Sequence, residues 1–139
     1  MQYVVDTNVI VRFLTNDDEE QSKKAFEIFK RAVNQEITLF LTPIVIIECT
    51  WVLGMKRYGY SHEEIADNLT TIITSPGVKT LESDVVLKAL HEYKTNRIDF
   101  ADAYLAAVST KNGVPCLTWN SKDFKKCTGV EHYRPDDVL

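Results

Sequence analysis

Along this chain the spacing of apolar positions switches repeatedly between strand and helix periods. Tyr3-Val4-Val5 is a short strand-favouring run ending at Asp6, after which apolar residues recur at helical spacing through Val9, Ile10, Phe13 and Leu14. A second helix is predicted from about Asp18 to Val33, with acids in its first turn and Lys30 and Arg31 near its end, as the helix dipole favours. Its apolar stripe is Ala25, Ile28, Phe29 and Ala32. Ile37 to Leu41 reads as the second strand. Thr42-Pro43 then supplies a cap and a proline at the first helical position of a helix running to about Arg57, with Gly59 as its stop. Ser61-x-x-Glu64 has capping-box spacing and opens a helix through Ile65, Leu69, Ile72 and Ile73, halted by Ser75-Pro76-Gly77.

The same alternation continues to the end of the chain. Val78 to Leu81 is a third strand, and Ser83 or Asp84 caps a helix carrying Val86, Leu87, Leu90 and Tyr93. A further helix is expected from about Phe100 to Lys111, ending near Asn112-Gly113. Val114 to Trp119 reads as a fourth strand with its proline near the entry, where a missing donor is tolerated, and Val130 to Tyr133 as a fifth. Strands alternating with helices imply an α/β fold: three layers, α/β/α, around a mainly parallel sheet of four or five strands. No internal repeat or linker interrupts residues 1–139, so a single domain is expected.

Composition narrows the class without choosing a function. With 45% hydrophobic and 26% charged residues, the 139-residue chain is an ordinary globular protein, not a disordered or low-complexity one. The longest strongly apolar stretch, Ile44 to Gly54, contains Glu48 and is far shorter than the roughly 20 residues of a membrane span. No basic leader precedes the first strand, which points to a cytoplasmic protein. Cys49, Cys116 and Cys127 are odd in number and lack metal-type spacing, so they read as reduced packing residues. A net charge of -4 argues against binding nucleic acid through bulk positive charge, but not against a nucleic-acid enzyme whose metal site is built from carboxylates.

In an open parallel sheet the binding crevice lies beyond the carboxyl ends of the strands, which makes residues just after strands the candidates. Asp6-Thr7-Asn8 stands where the first strand becomes a helix; all three residues are also good helix caps. Glu48 lies in a segment, Ile44 to Leu53, that is otherwise apolar except for Thr50. A carboxylate there must pair with a cation, neutralise, bind a metal or face a wet cleft. Asp99-x-x-Asp102 puts two acids on one side of a helix's first turn; Asp99 suits the cap and Asp102 the cleft. Thr118-Trp119-Asn120-Ser121-Lys122-Asp123 closes the fourth strand in a polar turn, for which an Asx turn is a sufficient explanation in isolation.

Taken together, Asp6, Glu48 and Asp102, with Asn120 or Asp123, are expected to meet over one edge of the sheet. Hard oxygen donors in that number suit Mg²⁺ or Mn²⁺, and a bound cation would relieve the repulsion among them. Such a site can activate water and stabilise the charge that builds on a phosphodiester, which is hydrolysis of a nucleic-acid backbone.

These residues resemble the PIN-domain ribonucleases, in particular the VapC-type toxins of toxin-antitoxin pairs. The resemblance covers essentially the whole chain. It rests on Val4-Val5-Asp6-Thr7-Asn8-Val9-Ile10, on Thr42-Pro43-x4-Glu48, on Asp99-Phe100-Ala101-Asp102-Ala103-Tyr104-Leu105-Ala106-Ala107, and on Thr118-x-Asn120-x-x-Asp123-Phe124. It implies a PIN-like fold and an endoribonuclease in which Asp6, Glu48 and Asp102 bind Mg²⁺ or Mn²⁺. Asp123 would join them in catalysis, while Thr7, Asn8, Asp99, Thr118 and Asn120 would surround the substrate or support the ligands. Asn120 stands where some family members carry an acid, which bears on a second metal. RNA as substrate, a homodimer and a VapB-like antitoxin are implied in the same way, with the helix from Asp18 to Val33 and Trp51, Met55, Lys56 and Tyr58 as interface candidates. Arg12, Lys56, Arg57, Arg97 and Lys122 are candidate phosphate contacts. An aspartyl-phosphate phosphatase would need an acid where Asn8 stands, and a phosphorelay receiver would need an acidic pair at the first strand. The remaining alternative is a non-catalytic PIN fold that binds RNA or protein.

Overall fold

Three strands, β1 (Gln2–Val4), β2 (Thr38–Leu41) and β3 (Val78–Thr80), pair in parallel in that spatial order, with Tyr3 opposite Leu39 and Phe40 opposite Lys79. They belong to the first of two compact units, Met1–Ser83 and Asp84–Leu139, into which the computed structural model divides; it describes residues 1–139. Parallel strands flanked by helices give the α/β/α arrangement that the alternation implies. No helix is long and apolar enough to cross a membrane.

The helices of the first unit are α1 (Thr7–Leu14), α2 (Glu19–Val33), α3 (Pro43–Gly54) and α4 (His62–Ile73). Their starts follow from local chemistry. Asp18 accepts from the Gln21 amide, Thr42 from the Val45 amide, and Ser61 and Glu64 complete both bonds of the capping box. Ile10, Leu39, Leu41, Ile46, Leu53, Ile65 and Leu69 are fully buried. On α2 the buried face is Ser22, Ala25, Phe29 and Ala32; Ile28, expected on that stripe, is 38% exposed. Helix α3 ends at Gly54 rather than near Arg57, because Met55 is already extended (ψ 151°). Gly59 (φ 66°) closes the following turn instead, its amide donating to the Met55 carbonyl at 2.7 Å.

One glycine is dictated by close approach. A Cβ on Gly77 (φ 78°) would stand 2.0 Å from the Ala32 carbonyl oxygen, and the Gly77 carbonyl accepts from the Leu39 amide at 2.8 Å. Only a residue without a side chain lets the chain enter β3 so close to the end of α2.

The second unit contains α5 (Ser83–Asn96), whose first residue is the unit boundary, α6 (Phe100–Asn112), β4 (Cys116–Leu117), α7 (Ser121–Phe124), β5 (His132–Tyr133) and α8 (Pro135–Val138). Strands β4 and β5 pair in parallel with each other, so the five strands are shared between a three-stranded and a two-stranded sheet. Both are shorter than the apolar runs suggest, and Pro115, which has no amide donor, stands just before β4. The short helices α7 and α8 lie where the sequence reads as turn and tail. Helix α6 buries Phe100, Ala103, Ala106 and Ala107, small residues that allow close packing, and terminates at Gly113 in the left-handed conformation (φ 63°).

Candidate active site

The acids expected to form one site are distributed over the two units. In the first, the switch from β1 to α1 places Asp6 at the N-cap, where its carboxylate accepts from the Thr7 amide at 2.7 Å. Thr7 is buried, and its hydroxyl donates to Glu48 Oε2 at 3.1 Å. The cap position of Asp6 and the bond to Glu48 are therefore made by the same residue, through its backbone and its side chain. Glu48 itself is exposed, on the side of α3 away from the buried Val45, Ile46, Cys49 and Leu53. The apolar sequence around it thus does not bury the charge; its partner is a neutral hydroxyl, and the side faces water. Cys49 lies near both acids: burial first, then the charges of Glu48 and Asp6, push its thiol up to about 12. Asn8 is exposed and borders a surface groove with Arg12 and Gln21.

In the second unit, the central group is Asn120. Its side-chain nitrogen donates to Asp102 Oδ2 at 3.2 Å and to Asp123 Oδ2 at 3.0 Å, joining the first turn of α6 to α7. Asn120 is held in turn by its own amide, which donates to Thr118 Oγ1 at 2.9 Å. The turn is thus closed by the threonine hydroxyl rather than by an Asx bond. Burial, followed by the charges of Asp99 and Asp123, holds the Asp102 carboxyl above the usual carboxylate range, while the Asn120 bond opposes this. Asp99 occupies the N-cap position of α6 but makes no side-chain capping bond, so it acts on Asp102 through its charge. Asp123 also meets Lys126 at 3.7 Å.

All of these carboxylates offer hard oxygens of the kind Mg²⁺ and Mn²⁺ prefer, and at Asp102 burial first, then the charges of Asp99 and Asp123, raise the carboxyl. The chemistry of the donor set fits a divalent ion. No group of three or more His, Cys, Asp or Glu side chains is drawn closely enough together to hold a metal by itself. The two sets are pairs braced by neutral donors: Asp6 and Glu48 by Thr7, Asp102 and Asp123 by Asn120.

Several residues take parts the sequence does not announce. Asp17 accepts from Tyr58 Oη at 2.5 Å, Thr15 Oγ1 at 2.9 Å, Arg57 Nη2 at 3.1 Å and Arg12 Nη1 at 3.3 Å. Arg12 and Arg57, two of the candidate phosphate contacts, both form ion pairs with Asp17. Glu92 is buried on α5 and accepts from the Asn96 side chain and from the Thr128 amide, which fastens the segment after α7. A lone Glu in an amphipathic helix gives no sequence signal of such a role. Arg97, just ahead of Asp99, adopts a left-handed conformation (φ 52°). Trp51 and Met55, candidates for an interface, are 52% and 57% exposed.

Compared with known proteins, residues 3–129 match a family model described as PIN domain. None of the curated proteins matches the chain. Among solved structures, a chain in the crystal structure of VapBC2 from Rickettsia felis bound to a DNA fragment from their promoter is similar over 96% of this chain and 98% of its own length, at 16% identity and a TM-score of 0.36.

Proposed function

The chain belongs to the PIN-domain family, and on that premise we propose that it is a divalent-metal-dependent endoribonuclease, with Asp6, Glu48 and Asp102 as the residues that would hold Mg²⁺ or Mn²⁺. The observation that carries this reading is how these acids are held. Asp6 is fixed by a backbone amide, Glu48 by the Thr7 hydroxyl and Asp102 by the Asn120 amide. Each is oriented by a neutral donor, so its charge is left available for a cation, whereas acids with a structural role on this surface, such as Asp17, are paired with arginine.

When bound, the ion would lower the pKa of a water and offset the charge that develops on the phosphodiester. The protein's own part is to aim the carboxylates. Thr7 fixes the rotamer of Glu48, and Asn120 spaces Asp102 from Asp123. We assign to Asp123, three residues beyond Asn120, the role of accepting a proton from the attacking water or orienting it. The motifs shared with VapC-type toxins extend the proposal to the toxin of a toxin-antitoxin pair, acting on RNA as a homodimer with a VapB-like antitoxin. The exposed Trp51 and Met55 support such an interface.

A second reading, a non-catalytic PIN fold that binds RNA or protein, is favoured by the lack of any gathered group of three potential ligands. Calorimetric titration with Mn²⁺, together with cleavage of single-stranded RNA in Mg²⁺ or Mn²⁺ against chelator, separates the two. Metal-dependent scission is the expected result. RNA binding without scission leaves the binding module.

A further inference from the structure

Trp119 is 64% exposed in the polar turn between β4 and α7, where its indole N–H makes no hydrogen bond and its ring meets no other aromatic ring or cation. So large an aromatic surface in water is a reserve of free energy that a ligand with a flat apolar face can recover. We propose that Trp119 is a stacking platform for an unpaired base of single-stranded RNA, with Lys122 and Lys125 holding the phosphates beside it. The identity of the polymer rests on the nuclease reading above; the contact itself needs no bound ion.

Charge, direction and chemistry favour a nucleic acid here. From Trp119 to Val130 the charged residues are Lys122, Asp123, Lys125 and Lys126, a local excess of cations in a chain of net charge -4. Phe124 and Cys127 are buried and anchor α7 and the turn after it, which leaves the three lysines exposed at the i, i+3 and i+4 spacing of one helical face. Lys126 is drawn to Asp123 at 3.7 Å, whereas Lys122 and Lys125 are in no ion pair and stay open to an anion. A protein interface tends to exclude lysine, while a groove for single-stranded nucleic acid combines cations with an aromatic face. Stacking accepts any base but requires it to be unpaired, so the surface selects a single strand over a duplex. The next residue, Asn120, donates to Asp102 and Asp123, so Trp119 borders the candidate acids of this unit.

The test is a titration of the full chain in chelator, where no scission intervenes, with a short unstructured oligoribonucleotide carrying a fluorescent label and with the same strand paired to its complement. Anisotropy is expected to show weaker binding of the paired form. Trp119→Ala should bind the single strand on the order of tenfold more weakly than the wild type, and Trp119→Phe nearly as well. RNA should quench the tryptophan emission of the wild type, and the quenching should be lost in Trp119→Phe, which still binds. Replacing both Lys122→Gln and Lys125→Gln should flatten the dependence of log affinity on log salt by about 0.7 per lysine. Unchanged affinity in Trp119→Ala, quenching that survives Trp119→Phe, equal binding of the duplex, or tighter binding of the DNA strand of the same sequence overturns the inference. So does a loss of self-association in Trp119→Ala with RNA affinity intact, which would make this surface a protein contact. RNA cleavage in Mn²⁺ by a chain whose affinity ignores Trp119 removes this inference alone, whereas neither binding nor cleavage removes the functional reading with it.

Discussion

The Thr7 hydroxyl donates to Glu48 Oε2 at 3.1 Å across 41 positions of sequence, tying the first turn of α1 to the middle of α3. Because the Thr7 amide also holds Asp6, one buried threonine sets the direction of two acids. Thr7→Val keeps the shape and removes the hydroxyl. It is expected to cost about 1 kcal/mol in denaturant unfolding and roughly tenfold or more in Mn²⁺ affinity, as loss of ligand support does at metal centres. Thr7→Ser should retain most of both. Unaltered Mn²⁺ affinity in Thr7→Val would mean that Glu48 is aimed by something other than this bond.

Asp102 is held above the usual carboxylate range by burial and by the charges of Asp99 and Asp123. A carboxyl raised in the folded state favours folding at low pH and loses that contribution as pH rises through its folded value. At neutral pH the ionised Asp102 is therefore a liability in metal-free protein. Asp102→Asn is expected to raise the metal-free Tm at neutral pH by about 1–2 °C, a small figure because the site is partly open to solvent screening. The gain should vanish as pH falls below the ordinary carboxylate range. RNA cleavage should drop by at least ~10²-fold, as it should for Asp6→Asn. Asp99→Asn should bring Asp102 back toward its ordinary range. A metal-free Tm that falls sharply in Asp102→Asn would contradict this account.

Asp17 gives the opposite pH dependence. The Tyr58 phenol bond, then Thr15 and the charges of Arg12 and Arg57, hold its carboxyl below the usual range. A depressed carboxyl supplies stability above its unfolded value and loses it as pH falls through its folded one. Asp17→Asn is therefore expected to lower Tm at neutral pH, and the variant and wild-type melting curves should converge on acidification. The same bond pushes the Tyr58 phenol up, so Tyr58→Phe should release part of the hold on Asp17. Tm differences that persist unchanged into acid would show that Asp17 acts through packing and not through charge.

What the sequence discloses here, and what it hides, follows from the range of each interaction. Caps are local, so Asp18, Ser61 with Glu64, Thr42-Pro43 and Gly113 are read directly from spacing, and with them the starts of α2, α3 and α4 and the end of α6. The candidate acids stand out for a related reason: a charge just beyond a strand, or inside an apolar helix, is a local anomaly. Their partners do not. The bond from Thr7 to Glu48, the sharing of Asn120 between two carboxylates and the arginines gathered on Asp17 join residues far apart in sequence or reuse ordinary polar types. Asp99 misleads in the other direction: its position is that of a cap, but its side chain makes no capping bond. Strand length is similarly obscured. Val114 to Trp119 is apolar enough to be a strand throughout, yet ladder pairing is confined to Cys116 and Leu117.

The three cysteines should differ sharply in reactivity. Cys49 is fully buried, and burial with the charges of Glu48 and Asp6 pushes its thiol up to about 12. Cys127 is also buried, with its thiol pushed up to about 11 by burial and then by Glu92 and other nearby acids. Since the thiolate is the reacting form, both should resist a thiol reagent at about pH 8, leaving the partly exposed Cys116 as the one that labels first. Denaturant should expose all three. Because burial outweighs the charges at Cys49, Mn²⁺ taken up beside Glu48 and Asp6 should not make it reactive in the folded protein. Mass spectrometry of a labelling time course with and without Mn²⁺ checks this, and rapid native labelling of Cys49 would mean that α3 opens locally and that the support of Glu48 is less rigid than the hydrogen bond from Thr7 implies.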